Sequence, residues 1–327
     1  YEFIIVQLVA GLIAIYSLRE LSQRAQLFRT ALLVTIGSCA IYLALQLMQD
    51  NDINDMDNSI YKYFAVNGVL LLFAYPLMLV IEKTFGFISS VTLIELSNTS
   101  KDLLRQLSEV APGTFQHSVM VSNLAAEIAN KIGAKAQLVR TGAMYHDIGK
   151  TMNPLCYVEN ESIGSELAKY HEGLTPLQSA QAIIKHVTDG MELARLHKLP
   201  APVSDFIISH HGTNCVTYFY DKFLKEGGDP AMKPEFCYPG RKPKTKEQAI
   251  LMICDSLEAA SRTLKDHSPE AVSRLVEKIV QFKIDDAQLE EADLTLKELA
   301  TVKSVLKSYI SQINHERIKY PERKKNR

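Results

Sequence analysis

Residues 136–150 read AQLVRTGAMYHDIGK and join a helical pattern to a histidine and an aspartate that stand side by side. Apolar residues recur three and four positions apart, and the same spacing is present upstream in LLRQLSEV (103–110) and SVMVSNLAAEIANKIG (118–133). Gly133 stands where a helix is expected to end. The sequence shows no alternation typical of strands. The region from about residue 101 onward is therefore predicted to be an all-α bundle.

The C-terminal part of the bundle carries two signals of helix starts. Ser268, followed by a proline, is typical of an N-cap, and Thr295 with Glu298 is typical of a capping box. Between the helices we predict loops at 151–175 and 221–246, the second of which is rich in glycine, proline and lysine.

Seven side chains that are able to bind metal ions follow one another through this region. They are His117, His146, Asp147, His186, His210, His211 and Asp255. Imidazole and carboxylate groups are ligands of hydrolytic transition metals, and seven of them exceed the needs of one tetrahedral site. The pattern therefore predicts a centre of two metals. Neighbours on a helix point about 100° apart, so His210 and His211 both bind only if the metals lie between them or the helix is irregular there.

The first 85 residues are predicted to lie in a membrane. Three runs without charge, 3–18, 30–48 and 64–81, follow one another, and the last two are each about long enough to cross a hydrocarbon core of roughly 30 Å. Three such runs favour membrane spans over a buried hairpin of a soluble protein or a cleaved signal peptide. Pro76 is expected to kink the third run. Because the chain starts at Tyr1 without a methionine, we expect it to be a fragment.

The loops between the runs differ in charge. The first contains Arg19, Arg24 and Arg29, whereas the second lacks lysine and arginine and contains four aspartates. Those aspartates are Asp50, Asp52, Asp55 and Asp57. By the positive-inside rule the first loop is cytoplasmic and the second external, which predicts a cytosolic location for everything after the third run.

Composition limits the remaining function classes. The 327 residues, of which 47% are hydrophobic, suffice for a membrane part and a catalytic domain, and a net charge of -1 argues against a general nucleic-acid binder. Of the five cysteines, four are scattered through the predicted cytosolic part without a CxxC pair. They are Cys156, Cys215, Cys237 and Cys254. This predicts reduced thiols and neither a disulfide framework nor a zinc knuckle.

The sequence is accordingly divided into four parts. We predict a transmembrane domain over 1–85, a linker over 86–100, a catalytic domain over 101–320 and a basic tail over 321–327. The linker, GFISSVTLIELSNTS, is either a helix at the membrane interface or at a dimer contact, or a passive tether.

Six motifs between residues 115 and 264 carry a resemblance to a known family. They are FQHSVMVSNLA, HDIGKTMNPLCYVEN, IIKHVTDG, DFIISHHGT, YPG and AILMICDSLEAASRTL. In this order they resemble the seven-transmembrane HD proteins of the HD phosphohydrolase superfamily, the PgpH-type cyclic di-AMP phosphodiesterases of bacteria. The resemblance covers residues 98–320 and implies an HD domain. The membrane part is similar in kind, and its three runs correspond to the last of the family's seven spans, so the family's extracellular domain is expected upstream.

The resemblance implies two metal sites, of iron or manganese. His117, His146, Asp147 and Asp255 are expected to hold the first metal, and Asp147 to bridge to a second metal bound by His186, His210 and His211. Lys150 is expected to neutralise the charge of a phosphate, which makes Asp147 and Lys150 the candidate catalytic residues.

Further residues are predicted to contact the substrate. Thr213 and Asn214 offer hydrogen bonds to a phosphate or to adenine, Tyr238 offers a face for stacking, and Arg241 offers a positive charge. The chain departs from the family where Cys237 stands in place of a common arginine, and where Arg241 stands in place of a common proline. His171 resembles a histidine of a family loop that lies behind the ligands. The remaining histidines, His197, His267 and His315, are interpreted as ordinary residues.

The predicted function is a multi-pass enzyme of the bacterial inner (cytoplasmic) membrane that opens cyclic di-AMP to linear pApA in the cytosol. Its predicted partners are cyclic di-AMP and the lipid bilayer, with no nucleic-acid polymer and with a homodimer left open. The alternative of a cyclic di-GMP phosphodiesterase is disfavoured because the paired histidines are followed by GTN, and 238–240 read Tyr-Pro-Gly, so the GYP signature is not reproduced. A hydrolase of nucleoside phosphates needs fewer histidines. A catalytically silent receptor is disfavoured by the full set of ligands together with Lys150.

Overall fold

The computed structural model describes residues 1–19, 25–49, 59–163 and 167–315. The chain divides into two compact units, Tyr1–Glu95 and Leu96–Arg327. The described residues form α-helices and short 3₁₀ helices, with one isolated β-bridge in place of any named strand. The prediction of an all-α protein is confirmed.

Apolar helices build the first unit. They are α1 (Glu2–Leu18), α2 (Ala25–Met48), α3 (Ser59–Leu72) and α4 (Ala74–Phe85). By length and composition, α2 with 24 residues and the segment Ser59–Phe85 with 27 residues are able to cross a membrane, while α1 is a shorter apolar helix. Large apolar side chains point outward from these helices, and Ile15, Leu32 and Val80 are 71%, 60% and 59% exposed. Such surfaces are stable in contact with lipid tails and not with water.

The last span is interrupted where proline chemistry requires it. α3 and α4 are separated at Phe73, within one turn of Pro76. Proline lacks the N–H that bonds to the carbonyl four residues earlier, and its ring collides with that carbonyl, here the one of Leu72. The helix is thus interrupted close to Pro76, as a proline-induced kink would require. Arg24, the four aspartates of the second loop and the tail 321–327 lie outside the described residues.

Helix α5 (Ser90–Leu96) lies within the predicted linker. Gly86, with φ 69°, ends α4 in the left-handed conformation that glycine adopts most readily. The Glu82 carboxylate then accepts hydrogen bonds from the Ser89 backbone N–H and from the Thr92 hydroxyl. These bonds fix the start of α5 against the end of α4.

The second unit is a helical bundle. Its helices are α6 (Asp102–Val110), α7 (Pro112–Ile132), α8 (Ala136–Tyr145), α9 (Leu167–Glu172), α10 (Pro176–Leu196), α11 (Ala201–Ser209), α12 (Thr217–Lys225), α13 (Lys246–Ser261), α14 (Pro269–Asp285) and α15 (Leu296–His315). Short 3₁₀ helices span Ile148–Met152, Pro154–Cys156, Val158–Ile163 and Pro230–Phe236. One core cluster joins α7, α8, α13, α14 and α15 through side chains such as Val121, Ile253 and Val276. Full burial of a side chain of this size contributes roughly 1.5–3 kcal/mol.

The predicted helix ends are confirmed. Gly133 ends α7 with φ 72°. The Ser268 hydroxyl accepts the N–H of Ala271 at the start of α14, and Thr295 and Glu298 bond each other's backbone N–H groups before α15. The predicted loops are partly wrong, because α9 lies within 151–175 and α12 extends into 221–246. Helices of 6 and 9 residues are too short to display a clear period in the sequence.

The prediction of reduced thiols in the cytosolic part is wrong for two of its four cysteines. Cys215 and Cys237 form a disulfide, while Cys39, Cys156 and Cys254 are free. The two partners are 22 positions apart, and the chain places them opposite each other in an antiparallel bridge. On either side of the bridge, backbone hydrogen bonds of 2.8 Å join the same two segments. A pairing made by tertiary contact carries no local spacing signal, so the sequence did not reveal it.

Candidate metal centre

Helix ends and helix interiors both supply metal-capable side chains. His146 is the C-cap of α8, and Asp147 follows with φ −111° and ψ 16° before the 3₁₀ helix begins. The change from α to 3₁₀ geometry turns Asp147 inward beside His146, and both residues are almost fully buried. His117 comes from the middle of α7 and Asp255 from the middle of α13.

The first group of converging atoms belongs to His117, His146 and Asp255. Nε2 of His117 lies 3.0 Å from Oδ1 of Asp255, and Nε2 of His146 lies 3.8 Å from the same oxygen. Oδ2 of Asp147 faces this group, 3.2 Å from His146 Nε2 and 3.8 Å from His117 Nε2. The four side chains expected to hold a first metal are therefore together.

The second group belongs to His186, His210 and His211. Nε2 of His186 and Nε2 of His210 lie 3.2 Å apart. The other oxygen of Asp147, Oδ1, lies 3.4 Å from His186 Nε2 and 3.6 Å from His210 Nε2. One carboxylate thus faces both groups, each with a different oxygen, which is the arrangement of a bridging ligand.

The adjacent histidines reach the centre together because the helix stops between them. α11 ends at Ser209 and His210 is its C-cap, so His211 is already outside the helix. The ring centroids of His210 and His211 are 4.0 Å apart. Of the two geometries that the sequence allowed, the structure has the irregular helix end.

Hydrogen bonds fix the orientation of three imidazole rings. Nδ1 lies at hydrogen-bond distance from the carbonyl oxygen three residues earlier in the chain, at 2.6 Å for His146, 2.7 Å for His186 and 2.8 Å for His210. A carbonyl only accepts, so Nδ1 carries a proton and Nε2 is the ring nitrogen that faces the centre. This is the tautomer that binds a metal through Nε2.

The donor set fits metal cations. Nε2 of His146 and Oδ1 of Asp147 are fully buried, and no hydrogen-bond partner for either is present among the described residues. Burial raises the pKa of Asp147, but His146 and Lys150 outweigh it and hold that pKa well below its ordinary value. Burial lowers the pKa of His186 to about 3, which keeps that ring neutral. An ionised carboxylate and a neutral imidazole are the forms that bind a cation.

The carboxylates of Asp147 and Asp255 require a positive charge close to them. Burial lowers the pKa of His146, but the Asp147 carboxylate outweighs it and raises the value to about 10. Asp255 also has a pKa well below its ordinary value, because the neighbouring imidazoles of His117 and His146 outweigh burial. Two ionised carboxylates beside buried imidazoles are stable only with a proton or a cation between them.

Lys150 is held by two carboxylates at the edge of the centre. Its Nζ lies 2.8 Å from Oδ2 of Asp147 and 2.7 Å from Oε1 of Glu159, and it sits 4.9 Å from the ring centre of Tyr157. Burial lowers the pKa of Lys150, but the two carboxylates outweigh it and raise the pKa well above the ordinary value. The ammonium group is thus permanently charged and fixed in position.

Glu258 belongs to neither group of converging atoms but contacts His117. Its Oε2 lies 2.6 Å from Nδ1 of His117, and its Oε1 accepts a hydrogen bond of 2.9 Å from Arg262. Glu258 stands three residues after Asp255, one turn along α13, so both carboxylates are on the same face of that helix. That spacing in DSLE was the available signal, and the prediction from sequence missed it. Glu159, the partner of Lys150, was missed as well.

The centre opens onto a cavity of about 480 Å³. The cavity is lined by four metal-capable residues and by four others, namely His117, His186, His211 and Asp255 together with Lys150, Tyr157, Asn214 and Tyr238. The ring of Tyr238 stacks on His211 with a centroid distance of 4.2 Å and an angle of 25°. The disulfide partner Cys215 is also part of the wall. A ligand in this cavity meets both groups of metal-capable atoms.

Three predicted residues lie elsewhere. Thr213 is bonded to Gln288, whose Oε1 accepts the Thr213 N–H and whose Nε2 donates to the hydroxyl. Arg241 is half-exposed and forms an ion pair with Asp205. Neither Thr213 nor Arg241 is among the residues that line the cavity. His171 packs beside Cys156, Tyr170 and Phe219.

Comparisons with known proteins match both units. The family described as 7TM receptor with intracellular HD hydrolase matches residues 1–89, and the HD domain matches residues 114–260. The solved HD domain of PgpH from Listeria monocytogenes, in complex with cyclic di-AMP, is 39% identical with a TM-score of 0.62 and covers 67% of this chain and 99% of its own. The chain belongs to the seven-transmembrane HD family. The chain accordingly combines apolar membrane helices with an HD domain, a type of domain that binds divalent metal.

Full-length relatives extend the resemblance. The cyclic di-AMP phosphodiesterase PgpH of Bacillus subtilis (strain 168) is 37% identical over 98% of the chain, and its namesake in L. monocytogenes (serotype 1/2a, strain 10403S) is 34% identical over 97%. The chain spans 45% and 44% of the length of these curated relatives. The family inferred from the six sequence motifs is therefore confirmed.

Proposed function

We propose that the protein is a membrane-anchored, metal-dependent phosphodiesterase that hydrolyses cyclic di-AMP to pApA. The observation that carries the proposal is the position of Asp147, which presents one oxygen to each of two groups of histidines at the wall of a cavity. A bridging carboxylate with histidines on both sides is typical of two-metal hydrolases of phosphate esters. The names of the relatives, and the cyclic di-AMP bound to the solved HD domain, support the choice of substrate.

We propose that two ions of iron or manganese occupy the centre. The first is held by His117, His146, Asp147 and Asp255, and the second by Asp147, His186, His210 and His211. Nitrogen and oxygen donors of this kind suit both metals. When bound, such ions supply a Lewis acid that polarises a phosphoryl oxygen of the substrate.

The side chains around the centre have separate roles in this proposal. Lys150, fixed between Asp147 and Glu159, stabilises negative charge that develops on the phosphate in the transition state. Tyr238 presents one face to His211 and lines the cavity, where its ring can contact a nucleobase. Asn214 lines the same wall and offers amide hydrogen bonds to a base. Thr213 and Arg241 remain candidate contacts from the chemistry of their side chains only, since Gln288 and Asp205 are their partners.

We further propose that the enzyme lies in the bacterial inner membrane with its HD domain in the cytosol. The charge difference between the first two loops supports this orientation, because arginines concentrate on the cytoplasmic side. The domain limits 1–85, 86–100, 101–320 and 321–327, and assembly as a homodimer, stay predictions.

The test is a comparison of substrates. The purified, metal-loaded 327-residue chain is incubated with cyclic di-AMP, cyclic di-GMP and nucleoside phosphates side by side, and products are separated by chromatography. We expect pApA from cyclic di-AMP as the fastest reaction, and none from Asp147→Ala, which should also hold well below two metals per chain. Asp221→Ala, an exposed aspartate of α12, is the matched control. Faster opening of cyclic di-GMP would transfer the proposal to that nucleotide, and binding without turnover would favour a receptor.

A further inference from the structure

Lys283 is a buried lysine without a partner in the wall of the catalytic cavity. It lies near the end of α14 and is 6% exposed. It lines the same cavity as His211, Asp255 and Lys150. Within the described part of the chain, the Lys283 ammonium has no hydrogen bond and no ion pair, in contrast to Lys150 with its two carboxylates.

The carboxylates nearest to Lys283 already have other partners. The carboxylates that act on Lys283 are those of Asp255 and Asp286, and neither comes within ion-pair distance. Oδ1 of Asp255 lies 3.0 Å from His117, and Asp286 accepts a hydrogen bond of 2.9 Å from Gln288. The ring centre of Phe282 lies 5.8 Å from Nζ of Lys283. Burial without a counter-charge lowers the pKa of Lys283.

A largely buried lysine without a counter-charge in a cavity wall is well placed to bind an anionic ligand. A buried ammonium group loses its hydration, and only an anion or several acceptors compensate for the loss. The cavity already has a positive group, Lys150, beside the metal-capable residues. In a ligand with a single phosphate, that phosphate therefore interacts with Lys150 and the metal centre. Lys283 is then left to bind a second anionic group.

We infer that Lys283 binds the second phosphate of a ligand that carries two phosphates, while Lys150 and the metal centre act on the phosphate that is cleaved. The inference rests on the proposed phosphodiesterase function and adds a residue that selects cyclic dinucleotides over simple phosphodiesters. Lys283 is thus a binding residue whose contribution depends on the second phosphate.

The test compares two substrates in the unaltered 327-residue chain and three variants of it, all loaded with Mn²⁺. Lys283→Met removes the charge, Lys283→Arg keeps it, and Lys278→Met alters an exposed lysine of the same helix as a control. Cyclic di-AMP carries two phosphates, and bis(p-nitrophenyl) phosphate carries one. For Lys283→Met we expect KM for cyclic di-AMP to rise by about tenfold or more, as for loss of a charge-assisted hydrogen bond. The change for bis(p-nitrophenyl) phosphate should be at least about fivefold smaller.

The remaining variants and a metal measurement separate this role from a structural one. Lys283→Arg should recover most of the affinity, Lys278→Met should behave as the unaltered chain, and all should hold the same metal per chain. An unchanged KM for cyclic di-AMP in Lys283→Met, or equal losses on both substrates, would overturn the inference.

A separate competition experiment distinguishes failure of the proposed function. If the unaltered chain does not hydrolyse cyclic di-AMP, cyclic di-AMP and cyclic di-GMP are measured as inhibitors of bis(p-nitrophenyl) phosphate hydrolysis. Weaker inhibition by either nucleotide in Lys283→Met supports the second-phosphate site while the proposed reaction fails. Equal inhibition of the unaltered chain and of Lys283→Met contradicts the role of Lys283. Absence of inhibition in both proteins contradicts it as well.

Discussion

The Glu258 carboxylate lies 2.6 Å from Nδ1 of His117 and thereby directs Nε2 of that ring towards Asp255, 3.0 Å away. Arg262 holds the other oxygen of Glu258 at 2.9 Å, so the carboxylate is fixed between two bonds. The His117 ring is oriented by this carboxylate, whereas three other histidines of the centre bond to backbone carbonyls. We therefore propose that Glu258 positions His117 at the first metal site.

Loss of Glu258 should weaken metal binding. Glu258→Ala frees the His117 ring and is expected to lower Mn²⁺ affinity about 10–100-fold, the usual effect of removing such a partner from a ligand histidine. Glu258→Gln keeps an acceptor and should show an intermediate loss. Calorimetric titration of the metal-free chain with Mn²⁺ measures both, with the half-exposed Glu127→Gln on α7 as control. Equal affinity in Glu258→Ala and the unaltered chain would show that His117 needs no such support.

Lys150 should be required for turnover and dispensable for metal binding. Lys150→Ala removes the charge that lies between Asp147 and Glu159, and the rate at saturating cyclic di-AMP is expected to fall by about 100-fold or more. Metal content should stay at the level of the unaltered chain, because Asp147 keeps both oxygens. Lys185→Ala, at a position whose side chain is 71% exposed, serves as control. A metal-free variant, or an unchanged rate, would show that Lys150 has a different role.

Gly149 allows α10 to approach the turn that carries Asp147. A Cβ at this position would overlap the backbone carbonyl of His186 and the N–H of Gly190, neither of which is a flexible group. Gly149→Ala is therefore expected to destabilise the protein by about 1–3 kcal/mol and to lower metal content by displacing His186. Thermal unfolding followed by circular dichroism, with metal analysis, measures both. Gly173→Ala, where a Cβ meets nothing within 4 Å, should be neutral; equal Tm values for the two variants would refute the close-packing argument.

The orientation of the membrane part is tested by labelling. With Cys39 replaced, a cysteine at Asn54 should react with an impermeant thiol reagent in intact cells, because the aspartate-rich loop is predicted to be external. A cysteine at Gln23 should be protected until the membrane is opened. The reverse pattern would put the HD domain outside the cell, away from any cytosolic nucleotide.

The sequence predicted the converging metal-capable side chains better than their surroundings. His117, His146, Asp147 and Asp255 were recognisable because metal chemistry demands particular side chains, and helical periodicity placed them in one bundle. The reach of both His210 and His211 depended on where α11 ends, which the sequence left open.

Other features required tertiary structure. In an amphipathic helix such as α14 a lysine is normally solvent-exposed, and only the fold places Lys283 in the cavity wall. Arg241 was predicted to meet the substrate from its charge alone, but Asp205, distant in sequence, is its partner. The disulfide between Cys215 and Cys237 likewise depends on two segments that meet only after folding.

The most direct test of the two-metal phosphodiesterase is the fate of cyclic di-AMP in ¹⁸O-labelled water. The metal-loaded chain and Asp147→Ala are incubated with the nucleotide, and products are analysed by mass spectrometry. The account predicts linear pApA with one ¹⁸O on its terminal phosphate from the unaltered chain, and intact cyclic di-AMP from Asp147→Ala. Intact, unlabelled cyclic di-AMP recovered from the unaltered chain with both metals bound would contradict it.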